Sequence, residues 1–258
     1  MAVPLVVFKK MTLEANITIV ENCFYTDVDD LDVKGFVLDY YPELKDISVS
    51  EDYEVVHKKI SEIVKKDYDL YSKRIDDEVE RYSRLWSKYN DKYLNVLSSY
   101  LNTEWPDEVK TINVDVGLIP VFPRYLDTYG FSISTNISDD DLIKTCAHEI
   151  CHFLWFKKWS ELYPDSNKEE WESPYIPWKY SEMVADPIMN SEEIQIVFNG
   201  MFKEKSYDVF YTIKDGDTLV MDRLREIYSS KMSIEEKIEE GYSYIEEIFK
   251  NDKKKLTM

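Results

Sequence analysis

Two of the three histidines in this 258-residue chain lie four residues apart, in the segment CAHEICHFLW. On a helix, His148 and His152 are one turn apart and about 40° around the axis, so both imidazoles can point at the same place. Glu149 follows the first histidine and lies about 100° around the helix from it. This His-Glu-x-x-His spacing is typical of a helix that binds zinc through two imidazoles, with the glutamate accepting a proton from the zinc-bound water.

A catalytic zinc site needs a third protein ligand and leaves its fourth position to water. No histidine follows the motif, and His57 lies far upstream, so a carboxylate or a cysteine is expected. In the segment KYSEMVADPIM, Glu182 is the predicted ligand, and Asp186 is one turn later on the same helix face. Asp186 is predicted to accept a hydrogen bond from a ligand histidine. Cys151, about 60° from the first histidine, is the alternative third ligand.

The succession of His-Glu-x-x-His and Glu-x-x-x-Asp resembles the gluzincin zinc metallopeptidases, the thermolysin-like group, over roughly residues 129–190. The resemblance implies a zinc-dependent peptidase with one zinc ion per chain and a peptide or protein substrate. It implies the following roles: His148, His152 and Glu182 as zinc ligands, Glu149 as general base, and Asp186 as hydrogen-bond partner of a ligand.

In that family, the strand before the metal helix lies at a sheet edge and pairs with the substrate backbone. The segment YGFSIST takes that place here, so a peptide could add to it as an extra strand. The predicted substrate-binding edge strand consists of Gly130, Phe131, Ser132, Ile133 and Ser134.

The chain departs from the family in one respect. The family usually has a downstream histidine that stabilises the oxyanion, and this chain has none. A tyrosine must then take that role, and four candidates stay open, namely Tyr175, Tyr180, Tyr211 and Tyr228.

Three other functions compete with a peptidase. The first is a catalytically silent zinc-binding interaction protein, against which the presence of Glu149 argues. The second is a zinc hydrolase that acts on a non-peptide amide, which sulfur ligation by Cys151 would favour. The third is an accidental match of the motif on a packed helix without a metal.

Composition excludes some partners. With 32 basic and 51 acidic residues, the formal charge of −19 disfavours nucleic acid and anionic membrane surfaces as partners.

No apolar run approaches the ~20 residues that span a bilayer. Three cysteines and a poor signal peptide predict a reducing, cytoplasmic location. Apolar residues make up 44 % of the chain, enough for a packed core, and the oligomeric state is left open.

Two parts are predicted, an N-terminal module at 1–105 and a catalytic domain at 106–258. The module consists mainly of long amphipathic helices, because the chain between Ser50 and Glu104 has neither Gly nor Pro and repeats apolar residues every three or four positions. The pattern fits either one very long helix or two helices with a break near Lys65–Asp67, and the break is favoured. Short strands are predicted upstream, at Val3–Phe8, Ile17–Val20 and Gly35–Tyr40.

The predicted fold class is α+β. Strand-like segments between residues 110 and 135 predict a small, mostly antiparallel sheet, with the metal-site helix beneath its edge strand. The C-terminal third is predicted to be helical. Asp217 is expected to cap one helix there, and Ser233 with Glu236 to form the capping box of the last.

Overall fold

The computed structural model describes residues 3–26, 32–48, 50 and 52–251. The chain is an α+β protein, as predicted, and it divides into two compact units. The N-terminal unit combines Leu5–Lys88 with Thr111–Asp139, and the C-terminal unit combines the residues before Leu5 with Tyr89–Lys110 and the chain from Asp140 onward. This interleaved division differs from the predicted boundary between residues 105 and 106. The physical reason is strand pairing, because the first strand of the chain pairs with one that follows residue 110.

The N-terminal unit contains a four-stranded sheet in the order β1-β2-β4-β3. The strands are β1 at Leu5–Lys10, β2 at Thr111–Gly117, β3 at Arg124–Tyr125 and β4 at Gly130–Ser134. The first strand was predicted close to its observed position. β1, β2 and β4 are parallel, and only β3 is antiparallel to its neighbour, so the prediction of a mostly antiparallel sheet is wrong. Parallel pairing is possible because a long helical crossover joins β1 to β2.

The predicted edge strand is not at the edge. β4 pairs with β2 on one side and with β3 on the other, where Arg124 and Tyr125 lie opposite Phe131 and Gly130. The amide of Ser132 also donates to the carbonyl of Pro123, at 3.0 Å. A peptide therefore finds the backbone of β4 from Gly130 to Ser132 already paired, and substrate addition to this strand is not supported.

Two of the predicted strands are helices. α1 spans Leu13–Tyr25 and contains Ile17–Val20, and α2 spans Val33–Tyr40 and contains Gly35–Tyr40. Each helix has a side-chain cap that favours it, because Thr12 accepts from the amide of Ala15 and Asp32 from that of Gly35. A short apolar run in the sequence does not separate a strand from the buried face of a helix.

The long helix of this unit, α3, spans Tyr53–Trp86 without a break. The predicted interruption near Lys65–Asp67 is wrong. An ion pair between Lys65 and Asp69, at 2.7 Å and one turn apart, crosses that position and supports the helix. The chain leaves the helical path only after Trp86, and α4 follows at Asn90–Leu101. The core of the N-terminal unit includes these buried residues of α1, α2 and α3: Val20, Phe24, Val37, Val56, Ile60 and Val64.

The C-terminal unit is mainly helical, as predicted for this part of the chain. After α4 come α5 at Asp139–Leu162, α6 at Ile176–Met189, α7 at Glu192–Phe198, a hairpin of β5 at Lys214–Asp215 and β6 at Thr218–Leu219, α8 at Val220–Ser229 and α9 at Ile234–Asn251. None of the helices in the described residues is long and apolar enough to cross a membrane.

Of the two helix caps predicted for the C-terminal part, one is confirmed and the other is wrong. The capping box is confirmed, since the Ser233 amide donates to Glu236 at 2.8 Å and the Glu236 amide to the Ser233 hydroxyl at 3.3 Å. Asp217 is not a helix cap, because it lies in the turn between β5 and β6 and α8 begins only after Leu219.

Candidate metal centre

Two helices of the C-terminal unit bring the predicted ligands together. His148 and His152 lie on α5, and Glu182 lies on α6. Both helices are buried around the site, and Trp155 of α5 meets Tyr180 of α6 edge to face, with ring centroids 5.6 Å apart. The helix α5 is buried on nearly all sides from Cys146 to Phe156.

The backbone of the helical turn that carries His148 is also held in place. The hydroxyl of Tyr93, a fully buried residue of α4, donates to the carbonyl of Ala147 at 2.6 Å. Burial raises the pKa of Tyr93 well above its usual value, so this hydroxyl remains a donor. The position of the residue before His148 is therefore fixed by a neighbouring helix as well as by α5 itself.

Three potential ligand atoms converge. The Nε2 atoms of His148 and His152 are 3.1 Å apart. Nε2 of His148 lies 3.4 Å from Oε2 of Glu182, and Nε2 of His152 lies 3.4 Å from Oε1 of the same carboxylate. Their potential ligand atoms all lie within 4.8 Å of one another, and this is the one group in the described residues that could hold a metal ion. The predicted set of two histidines and one glutamate is thus brought together across two helices.

The carboxylates of Glu182 and Glu204 favour a positive charge on or beside His148. Burial by itself lowers the pKa of His148, but hydrogen bonds to Glu182 and Glu204 and the charges of both carboxylates raise it well above the usual value. Both glutamates are almost fully buried, at 4 % and 2 % side-chain exposure. Two buried carboxylates without a compensating cation are costly, so the site requires either a proton on the imidazole or a metal ion.

Glu149 lies on α5 between the two histidines and is 8 % exposed. Burial, together with the charge of Glu149, raises the pKa of the Cys146 thiol well above its usual value. Glu149 is thus a buried carboxylate on the helix that carries both histidines.

Among the described residues, Asp186 accepts hydrogen bonds from Arg225 at 2.8 Å, Tyr211 at 2.5 Å and Asn190 at 3.2 Å, and none of these partners is the predicted histidine. The carboxylate beside the second imidazole nitrogen of His148 belongs to Glu204 instead, with Oε1 3.4 Å from Nδ1. The Arg225 guanidinium donates charge-assisted hydrogen bonds to Asp186, and the Tyr211 hydroxyl donates a short one. Such bonds are strong, so they fix the orientation of the Asp186 carboxylate.

Glu204 was not found by sequence reasoning. It lies 22 positions after Glu182, in a segment without helix or strand, and no spacing rule connects such a segment to a histidine on α5. The only signal in the sequence is a glutamate followed by a lysine, and that pair is not specific in an acidic protein.

Cys151, the alternative third ligand, is buried at 2 % exposure but is not part of the converging group in the described residues. The geometry therefore favours Glu182 as the third ligand. All three cysteines of the chain are buried.

The four tyrosines that stayed open as oxyanion donors differ in their surroundings. The hydroxyls of Tyr180 and Tyr228 are 3.0 Å apart and both residues are buried. Burial, and then the bond to Asp186, raise the pKa of Tyr211 above its usual range, so that hydroxyl stays a donor to Asp186. Tyr175, at the start of α6, is 48 % exposed and is the most exposed of the four.

The tryptophans around the two motif helices are core residues. Trp155 and Trp159 stack with ring centroids 5.1 Å apart, and Trp171 stacks on Phe156 at 5.0 Å. With Trp178, all four are less than 9 % exposed, so they form the packing that fixes α5 and α6.

Comparisons of the chain with protein families, with curated proteins and with solved structures found no match.

Proposed function

We propose that this protein is a zinc-dependent peptidase of the gluzincin type, with one zinc ion per chain. The observation that carries the proposal is the convergence of His148, His152 and Glu182 from two helices, with Glu149 between the two histidines. Two imidazoles and one carboxylate are the ligand set of a catalytic zinc site that keeps an open position.

The spacing of the two imidazole nitrogens and the Glu182 carboxylate supports a metal ion of that kind. Two ligands that are each about 2.1 Å from a tetrahedral ion lie about 3.4 Å from each other. The two Nε2 atoms are 3.1 Å apart, and each lies 3.4 Å from a different oxygen of Glu182, Oε2 for His148 and Oε1 for His152. These separations are near that value, and the charge of Glu182 with that of Glu204 offsets the charge of the ion.

A bound zinc ion would supply Lewis-acid polarisation of the scissile carbonyl and a lowered pKa of water. The residues of the chain do the rest. Glu149 accepts a proton from the attacking water and donates it to the leaving amine. The two imidazoles and Glu182 would hold the ion, and the buried walls of α5 and α6 exclude bulk solvent. The substrate proposed is a peptide or a protein.

A silent binding protein is the weaker proposal because of Glu149. Glu149 is buried, and a site that only binds metal does not require a carboxylate at this position. Catalysis gives Glu149 a role that explains its place on the helix.

Elemental analysis of the purified protein tests the proposal, in parallel with Glu182→Ala and with Glu247→Ala, a change on the exposed face of α9. We expect about one zinc per chain in the parent and the control, and a loss of most of it in Glu182→Ala. Peptide-library hydrolysis that a chelator abolishes then establishes the peptidase. A parent that takes up no zinc after incubation contradicts the proposal, and zinc without any hydrolysis favours the silent binding protein.

A further inference from the structure

Glu204 lies against His148 from outside the two motif helices. Its Oε1 atom is 3.4 Å from Nδ1 of His148, on the opposite side of the ring from the nitrogen that faces Glu182. Its other oxygen, Oε2, is buried and has no hydrogen-bond partner within the described residues. A buried carboxylate with one oxygen unsatisfied is costly, which indicates that the contact with His148 is the reason for its position.

Asn190, the residue that ends α6, fixes the backbone of Glu204. Its Nδ2 donates to the carbonyl of Glu204 at 2.9 Å, and its Oδ1 accepts from the amide of Glu204 at 3.0 Å. Both polar groups of the Glu204 backbone are thus bonded to one carboxamide, which ties this irregular segment to the helix that carries Glu182.

Asp186 supports the same segment at two points. It accepts from Asn190 at 3.2 Å, and it accepts from the hydroxyl of Tyr211 at 2.5 Å. That hydroxyl in turn accepts from the amide of Ser206 at 2.9 Å, two residues after Glu204. Arg225 holds Asp186 through a pair of bonds, at 2.8 and 3.2 Å. The aspartate of the Glu-x-x-x-Asp pattern therefore anchors the segment that carries Glu204.

We propose that Glu204 is the positioning residue of the metal centre, and that Asp186 acts through Asn190 and Tyr211 to hold it in place. The Glu204 carboxylate accepts a hydrogen bond from Nδ1–H of His148, which leaves the lone pair of Nε2 for the metal ion and fixes the ring orientation. This inference rests on the proposed metal centre, and it assigns to Glu204 the role that the family resemblance gives to Asp186.

Zinc affinity, measured by competition with a chromogenic chelator, tests the proposal in the full-length chain. Partners of this kind contribute about 10- to 100-fold to metal affinity. We expect Glu204→Ala to weaken zinc binding by about that factor, and Glu204→Gln, which keeps an acceptor oxygen but not the charge, to weaken it less. Glu247→Gln on the exposed face of α9 serves as the matched control and should bind as the parent does.

A spectroscopic readout separates positioning from general loss of structure. In the zinc-loaded protein labelled with ¹⁵N, the Nδ1–H of His148 should give a slowly exchanging proton signal, because it is buried and bonded to a carboxylate. The signal should disappear in Glu204→Ala and stay, shifted, in Glu204→Gln. Circular dichroism confirms that each variant is folded, and the glutamine variant tests the proposal if the alanine variant is not.

The role of Asp186 is tested by a double-mutant cycle with Asp186→Asn and Glu204→Ala. Because Asp186 acts through Glu204, we expect its substitution to weaken zinc binding in the parent background and to have little further effect in Glu204→Ala. Additive effects overturn the coupling. Unchanged zinc affinity in Glu204→Ala overturns the positioning role while the proposed function stands, whereas a parent without zinc affinity overturns both.

Discussion

Glu149 is the residue on which the proposed reaction depends. It follows His148 on α5 and is 8 % exposed. In the proposed reaction its carboxylate is the general base that accepts a proton from water.

The substitution Glu149→Gln should retain zinc and lose activity. Glutamine keeps the size of the side chain but cannot accept the proton, and general-base catalysis contributes about 10²- to 10⁴-fold. We expect kcat to fall by about that factor in an assay of peptide hydrolysis, with zinc content equal to that of the parent. A variant that retains full activity would assign the base to another residue, and Glu247→Gln controls for the loss of one negative charge.

Cys151→Ala should also retain zinc. The thiol is outside the group of converging ligand atoms in the described residues, so its removal leaves the three ligands in place. The small cavity left at this buried position costs about 1 kcal/mol of unfolding free energy. Elemental analysis and urea unfolding measure the two effects separately, and a loss of zinc from this variant would identify sulfur as a ligand and favour a different hydrolase.

Site residues that lie on one helix were predictable, and residues that the chain brings from elsewhere were not. His148, Glu149 and His152 follow from helical geometry, since four residues make about one turn. Glu182 followed only from the order of two motifs. The contact of Glu204 with His148 depends on the path of an irregular segment, and the partners of Asp186 depend on where Arg225 and Tyr211 pack.

At the scale of elements, the packing of α9 against α6 depends on a glycine. A Cβ at Gly241 would overlap the hydroxyl oxygen of Tyr180 and lie 3.2 Å from the ring carbon that carries it. Tyr180 is fully buried and its hydroxyl bonds to Tyr228 and to the carbonyl of Ile238, so the side chain has no free space to move into. The absence of a side chain at Gly241 allows the two helices to approach.

Gly241→Ala should therefore destabilise the protein although alanine favours helix. Overpacking costs about 1–3 kcal/mol, more than the roughly 1 kcal/mol gained in helix propensity. The midpoint of urea unfolding should fall. Ser243→Ala on the exposed face of α9 is the control and should be neutral or slightly stabilising. Adding Tyr180→Phe removes the overlapping oxygen, so the double variant should be more stable than the two separate losses predict; strict additivity would contradict the packing argument.

Local sequence patterns predicted some elements correctly and others wrongly. The capping box of Ser233 and Glu236 marked the start of α9 because a cap acts within one turn. Ile17–Val20 and Gly35–Tyr40 were wrongly predicted as strands, because short apolar runs have no period that separates strand from helix. The predicted break in α3 was wrong because the helix continues through Lys65–Asp67, where an ion pair from Lys65 to Asp69 joins successive turns.

At the scale of the whole molecule, one ion pair makes stability depend on pH. Lys158 of α5, 4 % exposed, donates to the carboxylate of Glu235 at the start of α9 and to the carbonyl of Asn102 at 3.1 Å. The bond from Lys158 is the main reason that the pKa of Glu235 is lowered to about 2. Because the folded-state pKa lies below the ordinary value of 4.5, the stabilisation is complete above that pH and is lost as the pH falls toward about 2.

Glu235→Gln should accordingly be less stable than the parent at pH 7, and the difference should shrink as the pH falls below about 4.5. Unfolding by urea at a series of pH values between about 7 and 3 measures this, with Glu247→Gln as the control whose difference from the parent is small throughout. A difference between Glu235→Gln and the parent that is independent of pH would show that the charge of Glu235 does not contribute.

The sequence by itself determined the features that depend on neighbours along the chain. These are the α+β class, the helix with its His-Glu-x-x-His face, the candidate third ligand Glu182 and the helical C-terminal part. Only the tertiary structure decided what depends on contacts between distant segments: the parallel pairing of β1 with β2, the covered edge of β4, the interleaved units and the place of Glu204 beside His148. The physical reason is that helix periods and caps act over a few residues, whereas strand partners and buried charge pairs are selected by the packing of the whole fold.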